Sequence, residues 1–223
     1  DIALWDIAGK RAGVPLYKLL GGSTIRSIPA YASLFRYEDP DLVADRVRHA
    51  VDLGYESIKL HEINIPQVHA AREAAGQSIP LMVDVNCPWT PEESKSMALA
   101  FKAYDILWLE EPINPPENFQ ALSKLRTETE MAIAAGENAC TAFEFKKMME
   151  VNAIDYAQPS VTKVGGITEF RKIATLCEVY GVQLMPHSPY FGPGFLATLH
   201  LSQAIPNSGM IERIFIEPEA NVY

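Results

Sequence analysis

Cysteine is scarce in this chain. Cys87, Cys140 and Cys177 make an odd set without C-x-x-C spacing. A disulfide framework is therefore not expected, and a reducing, cytoplasmic setting is. There is no run of Lys and Arg, and the formal net charge is −9. Nucleic acid and anionic membrane surfaces are thus not expected as partners, and an anionic substrate would need local positive charge from a metal, Lys or Arg. No apolar stretch approaches the ~18 residues of a membrane span, and no signal peptide opens the chain. Low-complexity segments are also missing. The chain starts at Asp1, in mid-pattern and without Met, as a piece of a longer protein would.

What is present suits one globular α/β domain: 223 residues, 48% of them hydrophobic. Residues 1–20 read as an amphipathic helix ended by Gly21-Gly22, which Pro15 can break or restart. After it, short apolar runs alternate with helical patterns. The strand candidates are 28–33, 57–62, 81–86, 106–112, 132–138, 156–161, 183–188 and 209–213. Helix candidates lie near 40–53, 66–75, 91–103, 117–127, 141–150, 166–180 and 193–204. Asp39-Pro40 and Thr90-Pro91 each place a capping residue before a proline, a good helix start. About eight strands joined by about seven helices predict a modified TIM barrel of the (β/α)7β kind, with its site at the C-terminal ends of the strands.

Three carboxylates carry most of the functional information. Asp84 in LMVDVN, Glu110 in ILWLEEP and Glu137 in AIAAGEN each close an apolar run, at spacings of 26 and 27 residues. Successive parallel strands would bring these hard oxygen donors together, which suits a divalent cation such as Mg²⁺. Any one acid alone is more often a helix cap or a solvated charge; the repetition is the signal. Lys59 and His61 lie two apart on one strand and share a face, as do Asp84 and Asn86. A Lys there can polarise a carboxylate and a His can act as a base. His187 ends the seventh strand, roughly across the barrel from His61. Ser160, Lys163 and Glu212 complete the polar strand ends.

Other residues read as structural. His49, His69 and His200 fall in helical segments. The turn Lys163-Val164-Gly165-Gly166 can bind phosphate at a helix N-terminus, but a tight βα turn is the preferred reading. Glu111 is expected in structural ion pairs, and nothing marks Cys87 as a nucleophile.

Jointly these segments resemble the mandelate racemase and muconate-lactonizing branch of the enolase superfamily. DIALWDIAGKRAGVPLYKLLGG resembles its helix leading from a capping domain, and Lys59-Leu60-His61 its K-x-[KH] element. VDVN, WLEEP and GEN resemble the metal motifs, followed by KVGGIT, PHS and IER. The resemblance implies Mg²⁺ held by Asp84, Glu110 and Glu137, and removal of a proton α to a carboxylate through an enediolate. Lys59 and Glu212 would contact the substrate carboxylate, with His61 in the place of a base on the second strand. It divides the chain into a linking helix (1–24), the barrel (25–213) and the start of a return segment (214–223), without the N-terminal α+β capping domain. Ser160 departs from the pattern. Racemase-type relatives carry an Asp there that orients the late histidine, and muconate-type relatives a catalytic Lys.

The expected function is an enzyme: a Mg²⁺-dependent lyase that dehydrates a sugar acid, using His61 and His187. Racemisation or epimerisation of a hydroxy or amino acid and lactone cycloisomerisation are the alternatives. An inactive barrel homologue is the non-enzyme alternative. Partners would be a small-molecule carboxylate substrate and further copies of the chain in a homo-oligomer.

Overall fold

The computed structural model describes residues 1–22 and 27–216. Positions 23 and 24 of the expected linking segment, 25 and 26 of the expected barrel and 217–223 of the expected return segment lie outside the described residues. The N-terminal pattern forms two helices, α1 (Ile2–Ala12) and α2 (Leu16–Leu19). The break falls at Gly13, whose φ of 65° closes α1 in the left-handed conformation, and at Pro15, which starts α2. Asp1 and Trp5 tie α1 down. Asp1 accepts hydrogen bonds from the Thr168 amide at 3.1 Å and its hydroxyl at 2.6 Å, and the Trp5 indole donates to that hydroxyl at 2.9 Å.

Seven strand–helix units follow, then a last strand. The strands are β1 (Ala30–Ser33), β2 (Ile58–Leu60), β3 (Leu81–Asp84), β4 (Ile106–Glu110), β5 (Ile133–Ala135), β6 (Tyr156–Ala157), β7 (Gln183–Leu184) and β8 (Ile211–Ile214). Between them run α3 (Pro40–Asp52), α4 (Ile65–Ala75), α5 (Pro91–Phe101), α6 (Phe119–Thr129), α7 (Ala142–Glu150), α8 (Ile167–Tyr180) and α9 (Gly192–Ala204). The two sequence-marked starts are capped: the Asp39 side chain accepts from the Asp41 and Leu42 amides, and Thr90 and Glu93 form a capping box.

All eight strands are parallel, in the order β7-β6-β5-β4-β3-β2-β1-β8. The sheet curls until β7, at one edge, meets the segment leading into β8, at the other, in one bridge between Leu184 and Ser208. The Gly209 amide donates to Leu184 O there at 2.8 Å. Nearer the C-terminal ends, Ser188 completes the seam. Its hydroxyl donates to Glu212 O at 2.8 Å and accepts from the Glu212 amide at 3.1 Å, replacing ladder bonds with side-chain ones.

Alternation sets what faces inward. One set of strand residues, including Ala32, Ile58, Leu81, Leu109, Ile133, Ala157 and Leu184, packs outward beneath the helices. Inside, Tyr31, Met82, Trp108, Ala134 and Met185 form an apolar layer. Each large side chain so buried contributes roughly 1.5–3 kcal/mol. Two residues further along the same strands, Ser33, Asp84 and Glu110 stand above this plug, so the site has a dry floor.

Candidate active site

Lys59 occupies the middle of the polar layer and is fully buried. Its ammonium lies 2.7 Å from Glu110 Oε1, 2.8 Å from Glu212 Oε1 and 3.4 Å from Asp84 Oδ2. Burial works to lower its pKa, but Glu110 and Glu212 overcome this and hold the group charged. Asp84 is drawn the other way. Burial raises it, yet Lys59 and, after it, His61 hold it below the usual carboxylate range. Glu212 is also lowered, since Lys59 and His187 outweigh its burial. Glu110 ends well above the usual range: burial and repulsion from Asp84, Glu212 and Glu137 exceed the pull of Lys59. One ammonium is too little positive charge for this set of acids.

The two expected bases flank the acids. His61 Nε2 is 3.2 Å from Asp84 Oδ2, while its Nδ1 meets Leu34 O in a short contact. A proton on Nδ1 satisfies that carbonyl and leaves Nε2 to exchange protons. His187 Nδ1 lies 3.0 Å from Glu137 Oε2 and 3.3 Å from Glu212 Oε2. Neither approach is an aligned hydrogen bond, so the buried atoms Glu137 Oε2 and His187 Nδ1 have no hydrogen-bond partner.

These two orphaned atoms test whether the residues fit a cation. Oxygens of Glu110 and Glu137 and a ring nitrogen of His187 converge within 4.8 Å. Unsatisfied buried donor atoms, surplus negative charge and convergent geometry together fit a divalent ion. Asp84 stands outside that triple, beside Lys59 and His61. Of these donors, Asp84, Glu110 and Glu137 give an all-oxygen set of the kind Mg²⁺ prefers.

The remaining sequence candidates divide. Asn86 lies at the mouth, where its backbone donates to Asp84 Oδ1 at 2.9 Å. The Ser160 hydroxyl pairs with Thr162 at 2.9 Å and Tyr190 at 3.3 Å, and Tyr190 in turn donates to His187 O at 2.9 Å. Ser160 thus reaches the backbone of His187 and not its ring. Lys163 is exposed, and the helix start beyond its turn is taken by Asp1: a Cβ on Gly166, whose φ is 103°, would meet Asp1 at 2.6 Å. Glu111 makes no ion pair among the described residues. It accepts from the Gly136 amide at 2.9 Å and from Cys87 Sγ at 3.4 Å, and burial with repulsion from Glu137 pushes it up to about 7. The histidines read as structural pack on rings: His200 on Tyr17, His49 on Phe215 and His69 on Tyr104.

Several contributors carry no motif. Trp108 donates to Glu110 Oε2 at 2.9 Å, and Ser33 to Glu212 Oε1 at 2.6 Å. Alternation alone signals them, since each ends up on the inward face of a strand. Asn86, Cys87 and Glu111 have positive φ of 55°, 54° and 43°. Such strain in non-glycine residues gathers at functional sites.

A parallel eight-stranded sheet with a lysine-centred carboxylate cluster at its C-terminal ends defines a class of enolase-type barrels. The sequence profile described as "Enolase C-terminal domain-like" matches residues 42–222, and the chain belongs to that family. It is 36% identical over 221 residues to arabinonate dehydratase of Saccharolobus solfataricus, covering 95% of this chain and 58% of that protein. The structure is similar to L-talarate/galactarate dehydratase from Salmonella typhimurium LT2, with TM-score 0.84, 34% identity, and coverage of 95% and 54%. It is also similar to a racemase from Streptomyces coelicolor A3(2) with bound magnesium, with TM-score 0.84, 30% identity, and coverage of 95% and 63%. The chain thus spans less than two thirds of the length of these relatives. No helix among the described residues is long and apolar enough to cross a membrane.

Proposed function

We propose that this chain is the catalytic barrel of a metal-dependent enzyme that removes the proton α to a carboxylate, and that its reaction is dehydration of a sugar acid. The observation that carries the reading is the pair of histidines on either side of the Lys59 cluster: His61 against Asp84, and His187 against Glu137 and Glu212. The dehydratase names of relatives support the choice among outcomes.

Asp84, Glu110 and Glu137 would hold Mg²⁺. When bound, the ion supplies positive charge that stabilises the anion formed as the α-proton leaves. Lys59 binds the same carboxylate and stays charged because Glu110 and Glu212 surround it. His61 Nε2 takes the α-proton, and Asp84 then accepts a hydrogen bond from the imidazolium. His187 delivers a proton to the departing β-hydroxyl, which leaves as water. Glu212 holds Lys59 from β8 and places a carboxylate oxygen beside His187, and is itself fixed by Ser33 and Ser188. The apolar layer below keeps water out and strengthens these interactions.

The test is NMR of the full-length protein with Mg²⁺ and a panel of acid sugars in D₂O. A keto-deoxy acid product is expected. Deuterium at Cα without net conversion would make the enzyme an epimerase instead. If no acid exchanges its α-proton, the reading fails. Bound Mg²⁺ should fall at least tenfold in Asp84→Asn and Glu137→Gln and persist in His187→Asn; the reverse pattern would reassign the third ligand to His187.

A further inference from the structure

Arg36, at the mouth of the barrel just past β1, is a cation that neither the metal nor the proton chemistry uses. Its Nε donates to His61 O at 2.5 Å, and its Nη2 to Val85 O at 3.2 Å and Asn86 Oδ1 at 3.3 Å. These bonds stretch the guanidinium across the ends of β1, β2 and β3 and fix its orientation. Among the described residues, Nη1 makes no hydrogen bond and no carboxylate pairs with Arg36. That is notable in a chain with 28 acids against 19 bases. Lys59, Arg126, Lys146 and Lys172 all have acidic partners.

Arg36 lines a cavity of about 380 Å³. His61 and Asn86 line it with Arg36, and Phe35, Pro189 and Ile214 form apolar walls. The cavity lies over β8, β1, β2 and β3, while Glu110, Glu137 and His187 converge over β4, β5 and β7. His61 is common to the cavity and the reacting centre. A substrate whose reacting carboxylate lies at Lys59 would pass His61 and extend its far end into this space.

We propose that Arg36 receives a second carboxylate at the far end of the substrate, so that the site takes acid sugars with a carboxylate at each end. The inference rests on the proposed function, which places the first carboxylate at Lys59. An arginine held by its Nε and Nη2 loses little freedom when Nη1 binds, and planar guanidinium–carboxylate pairing suits it. A terminal alcohol in the same place forms a weaker bond and leaves the charge uncompensated. Hydrogen bonds to charged groups exceed neutral ones by enough to predict a preference of about tenfold.

The experiment measures kcat/KM for α-proton exchange by the full-length protein with Mg²⁺ on matched pairs, galactarate against galactonate and glucarate against gluconate. Within each pair only the far end differs. The wild type is expected to favour the diacid about tenfold. Arg36→Gln should collapse the diacid-to-monoacid ratio through KM rather than kcat, and Arg36→Lys should restore part of it. Binding to the wild type gives an independent readout should the variants fold poorly: adipate should compete at lower concentration than 6-hydroxyhexanoate in a thermal-shift titration. A ratio that Arg36→Gln leaves unchanged, or equal binding of those two probes, overturns the inference alone; Arg36 then serves the architecture of the mouth or pairs with another part of the full-length protein. If no acid exchanges its α-proton, the proposed function fails and takes this inference with it.

Discussion

Replacing Lys59 with Met tests the electrostatic design of the site. Methionine has a similar length and no charge, so packing changes little. The ammonium is fully buried between Glu110, Glu212 and Asp84. Removing one partner of a buried ion pair costs about 3–5 kcal/mol, because the other charge is left uncompensated. In a chain of this size that lowers Tm by about 6–20 °C. The pH dependence follows from the directions of the shifts. Asp84 and Glu212 have folded pKa values below their unfolded ones, so they contribute stability that is present above about pH 4 and lost as pH falls. Without Lys59 the dominant remaining influence is burial, which raises both groups. Stability is then lost as pH rises through the raised values. The difference between wild type and Lys59→Met must therefore be largest at pH 7 and above and shrink towards pH 4. Mg²⁺ should also narrow it, since a dication compensates the same acids. Chemical denaturation in EDTA, then in Mg²⁺, at pH 4 to 8 measures this. A loss under about 1 kcal/mol at pH 7, or one independent of pH, would refute the view that Lys59 neutralises the acids.

Two further outcomes follow from the geometry. Ser188→Ala removes both hydroxyl bonds to the Glu212 backbone and leaves its buried amide unsatisfied, a loss of about 2–3 kcal/mol readable as a lower denaturation midpoint; an unchanged midpoint would mean that Ser188 does not close the seam. Ellman's reagent should find one fast thiol in the native protein, the exposed Cys140. Cys177 is buried and pushed up to about 12, and Cys87 is raised by burial and by Glu111, so both should react only on unfolding; rapid labelling of Cys177 in the native protein would contradict its placement.

Most of the barrel was legible because the chain repeats one unit. All eight strand candidates form strands, but those of β2 to β7 were read too long at their C-terminal ends, for a physical reason at several of them. Pro159 and Pro186 lack the amide a ladder needs, so β6 and β7 stop after two residues each. At β5, Gly136 leaves extended geometry with a φ of 132°. The carboxylates and Lys59 were legible through the two-residue alternation that points them inward. Glu111 was not, because the left-handed turn at Glu111 itself breaks that alternation and sends it to the Gly136 amide instead of to a cation. Arg36, Ser33 and Ser188 act across separations of 24 to 179 residues, and no local pattern announces such partners.

Ser160 shows how a local departure is absorbed by the architecture. The resemblance to racemase-type enzymes implies an aspartate just past β6 for the late histidine, and a serine there removes that means of orienting the ring. The ring is instead bordered by Glu212 from β8 and Glu137 from β5, while Tyr190 holds the backbone of His187 and links it to Ser160. Ser33 and Lys59 occupy one Glu212 oxygen, while the other accepts from the Ser188 amide at 3.3 Å and faces His187 Nδ1 at 3.3 Å. The negative charge beside the ring thus comes from a residue that also pairs with Lys59, the lysine proposed to bind substrate. A change at Glu212 should therefore disturb Lys59 and His187 together, and the two ends of the proposed reaction are coupled through one buried carboxylate.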